Sequence, residues 1–85
     1  MPQISAFYGI VITMYLPDHN PPHFHVRYNE YRAVFDIETG EIKGNMPRRA
    51  VRFVYEWLDL HKDELMENWK RLESGEPLKR IKPLD

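Results

Sequence analysis

The chain has 85 residues, with twelve Lys/Arg against thirteen Asp/Glu for a net charge of −1, and no cysteine. This length can bury one small core, so two independent domains are excluded and residues 1–85 read as a single domain. The missing cysteines rule out a disulfide staple, thiolate chemistry and Cys-ligated zinc, and the near-neutral balance gives no global field that draws a protein onto nucleic acid.

Residues 1–5 lack a basic head, and the longest apolar run, residues 10–12, is far too short to span a bilayer, so a cytoplasmic protein away from the membrane is expected. Residues 7–15 are β-branched and aromatic with apolar side chains on both parities, which reads as one strand covered on both sides. Three prolines within residues 16–22 end it. Two further strands, 23–28 and 31–37, flank Asn29-Glu30, and a two-residue turn there makes paired residue numbers sum to 59. That register puts Phe24 opposite Phe35, Val26 opposite Ala33 and Tyr28 opposite Tyr31 on the core face. The other face then pairs His23 with Asp36, His25 with Val34 and Arg27 with Arg32. A turn at Thr39-Gly40 is expected to return a short fourth strand, with Ile37 opposite Ile42 and Lys43 beside Asp36.

The segment Gly44-Asn45-Met46-Pro47 opens a helix, with Asn45 or Met46 at the cap and Pro47 near the first turn. Val51, Val54, Tyr55, Leu58, Leu65, Met66, Trp69 and Leu72 share one face at 100° per residue, so one long helix, with a possible kink at His61-Lys62, is the simplest reading. Phe53, Trp57 and Leu60 form a second apolar stripe on its first half. Ser74-Gly75-Glu76-Pro77 stops the helix, and residues 75–85 form a basic tail. The expected fold is α+β: an antiparallel meander of three to four strands over residues 1–44, then a helical part over 45–74 packed on one sheet face.

The opening Met1-Pro2-Gln3-Ile4-Ser5-Ala6-Phe7-Tyr8-Gly9-Ile10, the block Asp18-His19-Asn20-Pro21-Pro22-His23-Phe24-His25-Val26 and Pro47-Arg48-Arg49-Ala50 resemble the bacterial family catalogued as domain of unknown function 4160. Trp57, His61 and Asn68-Trp69 fit it as well. The resemblance implies genes that lie beside a second small gene, an arrangement similar to toxin-antitoxin pairs, and therefore a protein partner. It carries no catalytic residues over to this chain.

His23 and His25 are two apart, so on a strand they project from one face. With Asp36 across from His23 and His19 folding over from the proline loop, they could form a His/His/carboxylate site for a divalent metal. The plain alternative is an ordinary cross-strand pair, and no other cofactor is indicated. The same histidines could serve as general acid and base in a small ribonuclease or phosphodiesterase, with Arg27 and Arg32 holding phosphate. Two facing arginines repel unless an anion or an internal acid such as Glu30 lies between them. Arg48 and Arg52, four apart beside Arg49, make a second candidate anion site at the positive end of the helix, with Glu56 or Asp59 as internal counter-charges. The stripe of Phe53, Trp57 and Leu60 calls for a cover: either the tail through Ile81 and Leu84, or another chain in a homodimer or a complex with the adjacent gene's product. A protein-interaction component centred on Trp57 is the leading expectation, with the ribonuclease and the metal module as alternatives.

Overall fold

The computed structural model describes residues 3–15 and 20–85. Five strands form one antiparallel sheet in sequential order: β1 (Gln3–Phe7), β2 (Ile10–Thr13), β3 (His23–Tyr28), β4 (Tyr31–Asp36) and β5 (Ile42–Asn45). A single helix, α1 (Arg48–Ser74), follows. The class is α+β with a meander, as expected, but the sheet has five strands where three to four were expected. The extra one is β1, which pairs with β2 through a tight turn at Tyr8 and Gly9, both with positive φ (52° and 80°), so that residues 7–15 hold a turn and β2 rather than one strand. Gly9 adopts that conformation freely, while a tyrosine does so rarely, so the turn is poorly signalled by residue type.

The β3–β4 hairpin has the expected register throughout, from His23↔Asp36 to Tyr28↔Tyr31, with Asn29 supplying the positive φ (54°) at its turn. The β4–β5 register departs from expectation by two residues: Ile42 pairs with Phe35 rather than Ile37, and Lys43 with Val34. The cause is the Asp36 carboxylate. Its Oδ1 accepts the backbone N–H groups of Glu38 (2.8 Å) and Thr39 (2.9 Å), and the Asp36 N–H donates to the Glu41 carbonyl, which widens the turn. A shift of two preserves parity, so every side chain stays on its expected face.

Ile10, Ile12, Phe24, Val26, Ala33, Phe35 and Ile37 form the inner face of the sheet, and α1 lies over it. Pro47 itself takes the cap position in place of the expected Asn45 or Met46, with no side-chain cap, and Gly75 ends the helix in the left-handed region, with the Glu76 N–H donating to the Arg71 carbonyl. It bends at His61 (φ −125°, ψ 21°), where the kink was expected. The buried face keeps one phase across the kink, its residues falling within one arc of about 120° at 100° per residue. Ala50, Val54, Trp57 and Leu58 are buried before the kink, and Leu65, Asn68, Trp69 and Leu72 after it.

The second apolar stripe therefore does not exist as a surface. Trp57 is 0 % exposed, packed against Phe7 (5.5 Å between ring centroids) and Phe24 (5.8 Å), while Leu60 is 68 % exposed and Phe53 half-buried. On the helical wheel Trp57 sits at the edge of the buried face, and a stripe drawn to include the half-buried Val51 and Met66 and the exposed Tyr55 is skewed away from it, which is why Trp57 is misplaced. An interface centred on Trp57 is excluded by this burial. Its cover comes from the chain itself: the Trp57 Nε1–H donates to the Lys82 carbonyl (2.9 Å), Ile81 is buried, and the Ile81 N–H donates to the Ile4 carbonyl beside β1 (2.8 Å). Asn68 fastens the same segment, its Nδ2–H donating to the Lys79 carbonyl (2.8 Å) and its Oδ1 accepting the Lys79 N–H (2.9 Å).

Candidate functional site

Because α1 covers only one side of the sheet, the alternate side chains of β2, β3, β4 and β5 line an open face. Two registers cross it. One runs Val11, Arg27, Arg32, Asn45; the other runs Thr13, His25, Val34, Lys43. Together with Gln3 and Tyr15 these residues, Asn45 excepted, line a shallow groove of about 510 Å³. Val11, Thr13, Tyr15, His25 and Val34 are half-buried in it, and Arg27, Arg32 and Lys43 are exposed.

The charges on this face are unbalanced at one end. Arg27 and Arg32 are direct cross-strand partners. Among the described residues, the ion pairs within 4.0 Å lie in the second half of α1 and the segment after it, and none includes Arg27, Arg32 or Lys43. Like charges directly opposite destabilise a strand pair, and among the described residues Glu30 forms no ion pair with either arginine. The opposite end of the face is acidic. Asp36 and Glu41 line a small cavity of about 220 Å³ with Asn20, Pro21, His23, Val34 and Lys43. The Thr39 backbone N–H holds the Asp36 carboxyl below its ordinary value against an opposing effect of burial, and the Glu38 N–H adds to the lowering.

His23 and His25 share this face, with ring centroids 5.3 Å apart. Each ring has an aromatic neighbour: Tyr15 meets His25 edge-on at 4.4 Å, and Trp69 lies 5.1 Å from His23, carried to this end of the sheet by the helix beyond its kink. His23 Nδ1 lies 2.8 Å from the Pro21 carbonyl. A carbonyl only accepts, so Nδ1 carries the proton and Nε2 is the basic nitrogen of the neutral ring. His23 and Asp36 are thus brought together as the sequence predicts. His19, the remaining member of the expected metal set, lies outside the described residues, and among the described residues no three His, Asp or Glu side chains converge closely enough to hold a metal ion.

The second expected anion site is separate. Arg48, Arg49 and Arg52 line a cleft at the start of α1 with Phe53 and Glu56, and the Arg49 guanidinium lies 5.8 Å over the Phe53 ring. Neither Glu56 nor Asp59 forms an ion pair with them among the described residues. Sequence reasoning missed Asn68, which is polar yet 1 % exposed. Its place four residues before the buried Leu72 and three after Leu65, on the apolar face, was the available signal.

Compared with known proteins, residues 9–70 match the family described as domain of unknown function (DUF4160). The chain belongs to the DUF4160 family. The match takes in β2 to β5 and most of α1, so the open face of this DUF4160 domain lies almost wholly inside the family region. No curated protein and no solved structure matches the chain. No helix among the described residues is long and apolar enough to cross a membrane.

Proposed function

We propose that this protein is a cytoplasmic interaction component of a two-gene, toxin-antitoxin-like bacterial module, and that it docks the adjacent gene's product on the open sheet face. One observation carries the reading. The sheet is covered by α1 on one side only, and its other side presents half-buried Val11, Tyr15, His25 and Val34 ringed by charged groups. An apolar centre with a polar rim is the anatomy of a protein interface. The helix stripe does not compete as an interface centre, since Trp57 is consumed by the core. Co-expression with the adjacent gene, followed by affinity purification and light scattering, tests it. A stable complex is expected, lost on Val34→Glu while the circular dichroism and melting curve of the variant stay near those of the parent. A complex indifferent to Val34→Glu would refute docking on this face.

A second reading, a small histidine ribonuclease or phosphodiesterase, is favoured by the Pro21 carbonyl that fixes the His23 tautomer and by the His25 ring, whose centroid lies 5.3 Å from that of His23. Cleavage of RNA by the purified protein, abolished separately by His23→Ala and His25→Ala, would establish it. Cleavage unaffected by either change would remove it.

A further inference from the structure

The open face carries both signs of charge, arranged by strand parity. Arg27 and Arg32 occupy one end, and Asp36 lies four residues beyond Arg32 on the same face of β4, about 13 Å away at roughly 3.3 Å per residue. Glu41 joins Asp36 at that end, where the two carboxylates outnumber the single Lys43, and Val34 with His25 fills the space between. A nucleic-acid strand carries one sign of charge along its whole length, so it would gain at the arginines and be repelled at Asp36 and Glu41. The net charge of −1 offers it no wider attraction. No exposed aromatic platform compensates, because Tyr15 is half-buried and already meets His25 edge-on.

We propose that the open face recognises a protein surface bearing charges of both signs: a carboxylate that bridges the Arg27 and Arg32 guanidiniums and, about 13 Å along, a Lys or Arg that meets Asp36 and Glu41. The proposal rests on the docking reading above and names the chemistry of the partner. Arginine suits the first contact because its planar fork takes a carboxylate in two parallel hydrogen bonds. The repulsion between the two guanidiniums in the unbound protein is relieved when that carboxylate arrives, so a contact that weakens the free fold strengthens the complex.

Arg32→Glu tests this with two readouts that must move in opposite directions. Placing a carboxylate opposite Arg27 should raise the melting temperature of the free protein by about 2–4 °C at low salt. The same change should weaken the complex with the adjacent gene's product at least about tenfold and flatten its salt dependence. If the parent complex forms and Arg32→Glu leaves its affinity and salt dependence unchanged, the inference is overturned and the docking reading survives. If no parent complex forms, the docking reading fails, and a probe decides the inference by itself. The isotopically labelled protein is titrated with an eight-residue peptide carrying Glu at one end and Lys at the other, and in parallel with an oligouridylate. Amide shifts at Val11, Arg27, Arg32 and Val34 with the peptide support the inference. Shifts with the oligouridylate alone, or with neither, overturn it.

Discussion

Replacing Asn68 by Ala removes the clamp that holds the segment after the helix. The side chain is 1 % exposed and makes two hydrogen bonds to one backbone unit, the N–H and C=O of Lys79. Each is worth about 1 kcal/mol net, and losing them together strands the Lys79 groups in a partly buried place, so the cost is about 2–4 kcal/mol. A chain of 85 residues has a total stability of roughly 4–13 kcal/mol, so this one change is expected to lower the melting temperature by roughly 10–25 °C. Asn68→Asp refines the test. One oxygen still accepts the Lys79 N–H, but the other now faces the Lys79 carbonyl, acceptor against acceptor, which holds the introduced carboxyl above its ordinary value of about 3.9. Its raised folded-state value means that the protonated form is the stable one, so relative to Asn68→Ala this variant should gain as pH falls from 7 towards 4 and lose as pH rises. Urea unfolding of both variants across that range measures the difference. A cost below about 0.5 kcal/mol for Asn68→Ala, or a gap between the variants that does not change with pH, would show that the clamp does not hold the fold.

Trp57→Asp should unfold the subunit, because deleting a buried aromatic costs about 3–5 kcal/mol before the buried charge is counted; a folded variant by circular dichroism would contradict the burial of Trp57. Glu67 is held below its ordinary value of 4.5 by the Arg71 guanidinium first and Lys79 second, so its contribution is present above pH 4.5 and drains away as pH falls further. Glu67→Gln should therefore flatten that part of the acid-unfolding curve, and an unchanged curve would count against the pairing. Gly44→Ala should destabilise strongly, since φ is +114° there and an added Cβ would lie 2.6 Å from the Arg32 carbonyl oxygen. A melting temperature within 2 °C of the parent, about a quarter to half a kcal/mol, would mean that β5 shifts without cost.

The parts of this fold that follow from local periodicity are legible in the chain alone. Alternation with period two, together with Asn29 at a turn, sets the β3–β4 pairing from His23↔Asp36 to Tyr28↔Tyr31, and through it the open face and its facing arginines. Helix punctuation around Pro47 and Gly75, and the break at His61, are likewise local matters of backbone conformation. What tertiary structure decided is whatever depends on which surfaces meet. Tyr8 takes a positive φ because the β1–β2 hairpin around it is held by the sheet, a choice its residue type argues against. The β4–β5 register follows from where one Asp36 oxygen finds two N–H groups, a geometry that alternation does not encode. Trp57 is core rather than interface because the edge of the helix face on which it lies packs against Phe7 and Phe24 of the sheet and the segment at Ile81 and Lys82 closes over it, a contact 25 residues away in sequence. The same distant segment makes Asn68 a clamp, since a polar residue on an apolar face is stable only when a partner arrives to satisfy it.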